Sequence, residues 1–253
     1  MSVRSQLTLD HLFFELEEEL FEAAAGVLPR IQNVDHRTVQ RPDITYEGIY
    51  LETTSGLYVE LLRSNPLLGA TNSIGLAVCA LDADVFDVQS LPEKVPGLEW
   101  GAGVPAFDPD GTPWYTFYLA NGGNPSGPHI WAMSYQNMDR CRTHRYRSNP
   151  PDEGEFAFAT LLSAAATVPP GYVDRFRPHF SYLPCTIDDD GSRLTFGTGS
   201  GHFVLKMTED DVEDVRLDRL VLQRTRTDID TALDGLGITC KPMGDKLEIT
   251  FER

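Results

Sequence analysis

Two side chains stand out for the chemistry they could do. His11 lies in the stretch LTLDHLFFELEEELFEAAAGVL (residues 7–28), an imidazole among leucines and phenylalanines in a segment that reads as a strand. Glu60 lies in a second strand-like segment, LYVELLR (residues 57–63). Imidazole and carboxylate both suit Fe, Mn, Ni or Zn as ligands. Without a metal, the same two groups can work as an acid/base pair. They can also form a purely structural pair, because a buried charge has to be matched. What decides among these is whether the chain brings the two together.

The elements that would position them follow from hydrophobic periodicity. Residues 7–14 read as a strand and 16–28 as a helix with Leu16, Leu20, Phe21, Ala24 and Leu28 on one face. Strand-like segments follow at 33–40, 45–52 and 57–63, the last two joined by the turn TTSG, so the opening reads β-α-β-β-β. A second unit of similar grammar starts at SIGLAVCALDADVFDV, with strands at 74–81, 113–119 (PWYTFYL) and 129–135 (HIWAMSY). Between the last two lies ANGGNPSGP, too rich in glycine and proline to be regular. The run DRCRTHRYRSNPPDE (139–153) changes character and is followed by a helix-like stretch at 154–167. After it come strands in SRLTFGTG, HFVLKM and VRLDRLVLQ, a helix expected over DIDTALDGLG (228–237), and strands in ITCKPM and KLEITFE. LDHLFF (9–14) is echoed by LDRLVL (217–222), and YVELL (58–62) by KLEIT (246–250).

These features resemble the vicinal oxygen chelate superfamily, the group of glyoxalase I, extradiol dioxygenases and bleomycin-resistance proteins, in an uncharacterised glyoxalase-like branch. The resemblance rests on LDHLFFEL, the helix after it, and GIYLETTSGLYVELL, and it is clearest over residues 7–82. It implies an α+β fold of paired βαβββ modules whose curved mixed sheets surround a cavity. The expected organisation is a two-module glyoxalase-like domain at 1–138, a connecting segment with a helix at 139–177, and a partial βαββ module at 178–253. The resemblance makes the first and fourth strands of a module neighbours, and side chains alternate faces. His11 and Glu60 then look into one hollow, with Leu9, Phe13, Tyr58 and Leu62, while Leu12, Phe14, Val59 and Leu61 meet the helix. Tyr46 and Tyr50 enter the same hollow, and Trp131 adds aromatic surface from the second module.

The resemblance implies one divalent metal ion held by His11 and Glu60, with further ligands from the partner module. Here the sequence departs from the pattern. Aligning DHL with IGL puts Gly75 in the second histidine's place, and aligning GLYVELL with PHIWAMS puts Ala132 in the second carboxylate's place. The C-terminal echo supplies Arg219 and Glu248 instead. Arginine stays protonated and cannot ligate a cation, but it can neutralise a carboxylate or hold an anionic ligand. Two functions follow from different classes: an enzyme on small oxygenated molecules, an isomerase or lyase, or a metal-free protein that sequesters a small ligand.

Composition narrows the partners. Twenty-one basic against thirty-eight acidic residues leave a formal charge of −17, which repels nucleic acid and anionic lipid and suits solubility or a cationic ligand. No apolar run reaches the length of a spanning helix and the N-terminus lacks a signal-peptide layout, so a cytoplasmic location is expected. Cys79, Cys141, Cys185 and Cys240 form no CxxC pair and are expected as thiols. Arg140, Arg142, Arg145 and Arg147, clustered with His144, could grip a phosphate or carboxylate, or pair with the protein's own acids. NGGNPSG and GTGSG lack the strand-to-helix setting of a phosphate loop, and neither GxSxG nor HExxH occurs. Association of two copies of the chain is also open.

Overall fold

The computed structural model describes residues 2–31, 34–40, 45–64, 74–82, 84–107, 113–120, 128–135, 158–198, 201–225, 233–235 and 237–252. The first module runs β1 (Leu7–Leu16), α1 (Glu18–Val27), β2 (Asp35–Gln40), β3 (Thr45–Leu51) and β4 (Tyr58–Arg63). The second runs β5 (Ile74–Ala80), α2 (Leu91–Lys94), β6 (Val104–Phe107), β7 (Pro113–Leu119) and β8 (His129–Tyr135). Together they make one eight-stranded sheet in the order β2-β3-β4-β1-β5-β8-β7-β6. β1 runs parallel to β4 and β5 parallel to β8, while β1 and β5 meet antiparallel at the centre. This is the paired βαβββ arrangement that the resemblance implies. The unforeseen β6 completes the second module.

The C-terminal half is fuller than a partial module. It runs β9 (Phe158–Val168), α3 (Tyr172–Phe176), β10 (Cys185–Ile187), β11 (Arg193–Thr198), β12 (Gly201–Glu209), β13 (Arg216–Arg224), β14 (Leu233–Gly235), β15 (Ile238–Met243) and β16 (Lys246–Phe251). The strand order, β10-β11-β12-β9-β13-β16-β15-β14, repeats that of the first sheet position by position. Two corrections follow. The helix-like run at 154–167 is β9 from 158 onward, its alanines alternating between buried and half-buried positions at the sheet centre. An alanine-rich segment favours a helix in isolation, and here its burial between two strands overrides that preference. In the stretch 228–237, residues 233–235 are strand, not helix. The basic cluster at 140–147 and Cys141 lie outside the described residues.

The last module differs in one instructive way. β12 runs parallel to β9, as β4 does to β1, but β16 runs antiparallel to β13. A parallel return needs a crossover between first and second strands, usually a helix. The helix α1 of the first module packs against β14 and β15, and Leu20 of α1 lies against Gly237. One helix thus covers two modules.

The two sheets share a single core. On the first sheet it takes in Leu12, Phe14, Ile49, Val59, Leu61, Leu76 and Ile130, with Leu20, Phe21, Ala24 and Val27 of α1; on the second, Leu161, Ala164, Phe203, Leu205, Leu220 and Leu222. Polar ties join the layers. Thr54 and Ser55 of the TTSG turn donate backbone hydrogen bonds to the carbonyls of Phe158 and Ala159, and the Tyr172 hydroxyl accepts from the Ile74 amide at 3.1 Å. Among the described residues no helix is long and apolar enough to cross a membrane. Cys79, Cys185 and Cys240 are free and buried.

Candidate functional site

The side of the first sheet turned away from this core carries the candidate site, and a single backbone irregularity shapes it. Leu7 and Leu9 lie in the main core, yet so do Leu12, Phe14 and Leu16, so the inward phase of β1 switches from odd to even. The switch is a β-bulge between Leu9 and His11, opposite β5. A bulge inserts one extra residue and re-aims a side chain. It corrects the expectation that Leu9 faces the hollow, and it places two neighbours, Asp10 and His11, within reach of each other. His11 Nδ1 bonds Asp10 Oδ2 at 2.7 Å, and the same oxygen accepts the hydroxyl of Tyr135 at 2.8 Å.

A carboxylate only accepts, so Nδ1 is the nitrogen that donates to Asp10, and Nε2 is the one turned toward Glu60. Across from it stands Glu60, its Oε1 3.9 Å from His11 Nε2, too far for a direct hydrogen bond and close enough for a shared ligand atom. His11 is 3% exposed and the Glu60 side chain 13%, so the imidazole is enclosed and the carboxylate is the more accessible of the two. The rings of Tyr58 (4.6 Å, stacked) and Trp131 (5.4 Å, tilted) flank the imidazole. Tyr46 packs with Phe13 and Leu62, and Tyr50 lies 6.4 Å from Tyr58. Tyr46, Tyr50, Tyr58 and Trp131 therefore gather round His11 and Glu60. Arg219 and Glu248 are brought together too, but on the second sheet, where Arg219 donates to Glu248 at 3.2 Å in a largely exposed pair.

The pairings also locate the two blank ligand positions. Leu12 pairs with Leu76, His11 with Ala77 and Phe13 with Gly75, so a pseudo-twofold passes through Leu12 and Leu76 and carries His11 onto Gly75. Leu12 faces Val59 as Leu76 faces Ile130, which carries Glu60 onto Trp131 and Tyr58 onto His129. The second carboxylate's place is therefore Trp131 and not Ala132, which is buried in the core on the opposite face. Both places are filled by rings. A Cβ at Gly75 would stand 1.9 Å from the Phe13 ring, and Phe13 stacks on Trp131 at 5.1 Å.

This donor set does not fit the divalent metal centre that the resemblance implies. Four ligands are usual for such a centre, or three with a water, and here two of the four places hold the rings of Phe13 and Trp131, which offer no lone pair to a metal. Among the described residues no group of three His, Cys, Asp or Glu side chains is placed to hold a metal. Beyond Tyr135 the face continues into a cleft of about 130 Å³ lined by Cys79, Phe86, Asp87, Val88, Met133 and Ser134. Sequence reasoning missed Asp10 as the partner of His11, and it placed Phe13 in the hollow without showing that its ring takes the space beside Gly75. The repeated Leu-Asp of LDHLFF and LDRLVL was the available signal, because β13 carries the same bulge between Leu217 and Arg219.

No family model and no curated protein matches the sequence. Solved structures do resemble it. Methylmalonyl-CoA epimerase from Mycobacterium tuberculosis is 12% identical with a TM-score of 0.37, over 56% of this chain and 95% of that one. A methylmalonyl-CoA epimerase variant from Streptomyces coelicolor, bound to 2-nitronate-propionyl-CoA, is 13% identical with a TM-score of 0.33, over 52% and 99%. A xylose isomerase-like TIM barrel/4-hydroxyphenylpyruvate dioxygenase fusion protein is 11% identical with a TM-score of 0.40, over 80% of this chain and 32% of that one. The fold assignment rests on strand order and direction, not on these scores.

Proposed function

We propose that this chain, with its vicinal-oxygen-chelate-type fold, is a small-molecule isomerase or lyase that moves a proton without a metal, using His11 and Glu60 on the concave face of the first sheet. The observation that carries the reading is the line Tyr135, Asp10, His11, Glu60. Asp10 fixes the tautomer and the ring orientation, leaving Nε2 as the basic atom. Nε2 takes a proton from a bound molecule, and the resulting imidazolium lies between two carboxylates, Asp10 and Glu60, which stabilise it. Glu60, the more accessible of the two, then relays the proton back to a second atom of the substrate or to solvent. The rings of Tyr58 and Trp131 exclude water from the imidazole and offer a flat apolar surface to the substrate.

A second reading has its own support. Phe13 and Trp131, stacked over both vacated ligand positions, make an aromatic wall suited to holding a ligand without converting it. One experiment separates the two. Small carbonyl compounds are incubated with the protein in D2O, and proton NMR follows exchange at the carbon beside the carbonyl. Exchange that is lost in both His11→Asn and Glu60→Gln supports proton transfer. Binding without exchange supports sequestration. Exchange unaffected by either substitution removes His11 and Glu60 from the site.

A further inference from the structure

His129 opens β8 on the same side of the strand as Trp131, Met133 and Tyr135, since Ile130 and Ala132 point into the main core. Its ring lies 6.3 Å from that of Phe13, on the far side of the Phe13 and Trp131 stack from Glu60. The residue is 8% exposed, yet among the described residues its buried Nε2 has no hydrogen-bond partner. Native folds leave few buried polar atoms unsatisfied, and each one calls for an explanation. Gly75 faces His129 across the sheet, and the Phe13 ring lies over Gly75.

We infer that His129 Nε2 is the far anchor of the concave site, completed by an uncharged hydrogen-bonding substituent on a planar apolar ring, a phenol being the simplest case. This deepens the reading of the His11 face as a small-molecule site and rests on it. Burial holds the His129 imidazole well below the ordinary histidine value, at about 4, so the ring is neutral over the physiological range. A neutral imidazole gives no charge attraction to carboxylate or phosphate, but it makes one good hydrogen bond to a hydroxyl or carbonyl. The neighbouring rings of Phe13 and Trp131 select a flat apolar body for that substituent.

The test uses 4-methylphenol and toluene, matched in shape and differing by the hydroxyl, titrated calorimetrically into the full chain. Wild-type protein is expected to bind 4-methylphenol about tenfold more tightly than toluene, and His129→Phe, which keeps a ring and removes the polar atoms, to lose the preference while binding toluene as before. The nitrogen NMR signal of His129 Nε2 in the wild-type chain gives the same answer without a substitution: it moves with 4-methylphenol and stays with toluene. Equal binding of the two probes, no binding of either, or a preference that survives in His129→Phe overturns the inference. Failure here is distinct from failure of the proton-transfer reading. Exchange lost in Glu60→Gln with no hydroxyl preference rejects the His129 anchor alone, whereas a His129-dependent preference without any exchange rejects proton transfer alone.

Discussion

At the scale of single residues, the site is defined as much by what Phe13 and Trp131 occupy as by what His11 and Glu60 offer. Restoring a ligand by Gly75→His forces a side chain into the Phe13 ring, 1.9 Å from where the Cβ must go. Overpacking of this kind costs about 3 kcal/mol. Urea unfolding is expected to show that loss for Gly75→His, and to show most of it recovered in the Phe13→Ala, Gly75→His double variant. Asp10→Asn is expected to leave the chain folded but to cut exchange activity at least tenfold, as the neutral amide no longer holds the protonated imidazole or dictates its tautomer. Unchanged activity would show that Asp10 is only a structural partner. His11 and Glu60 were legible from their strands because alternation needs only residue types. Asp10 was not, because alternation turns it to the opposite face from His11, and only the bulge brings them together. Trp131 was legible as aromatic surface but not as the mate of Glu60, a matter of register shifted by one residue that sequence patterns cannot fix.

At the scale of elements, a charged cluster fastens α1 to the strands β3 and β4 of the first sheet. Arg63 at the end of β4 donates to Glu18 and Glu22 of α1 and, at 2.8 Å, to Glu47 of β3, while its guanidinium covers the Phe21 ring at 4.4 Å. Burial pushes Glu47 up, but hydrogen bonds from His36 and Arg63 outweigh it and hold its carboxyl below the ordinary value of 4.5. A group depressed on folding contributes stability above its unfolded pKa and loses it as pH falls through the folded one. The urea midpoint is therefore expected to drop below about pH 4.5. Arg63→Ala, costing about 1 kcal/mol at neutral pH because the partners are partly exposed, is expected to flatten that drop. The α1 contact with the fourth module has its own probe. Gly237 has φ +78°, and an added Cβ would stand 2.7 Å from the Glu252 carbonyl oxygen, so Gly237→Ala is expected to cost about 2 kcal/mol. The helical periodicity of α1 was plain in the sequence. β9 was not, since FATLLSAAATV suits either a helix or a buried strand until its neighbours are known.

At the scale of the whole molecule, two eight-stranded sheets of the same strand order share one apolar core and turn their other faces away from it. Both modules that build the His11 face come from one chain. The C-terminal sheet repeats the architecture with an ion pair, Arg219 and Glu248, in place of the imidazole and carboxylate: Glu248 stands opposite Val221 as Glu60 stands opposite Phe13. The LDRLVL echo revealed that correspondence, while the antiparallel run of β16 against β13 was illegible because no residue pattern in either strand fixes its direction. Residues 1–137 alone would expose the apolar face that the second sheet covers, and are expected to bind a hydrophobic dye or aggregate where the full chain does neither. The central claim, proton transfer at a site that has given up its metal ligands, is tested most directly by measuring metal content and deuterium exchange on the same sample, purified without chelator. The expected result is full exchange activity with far less than stoichiometric metal. Stoichiometric metal that disappears together with activity in His11→Ala would contradict the account.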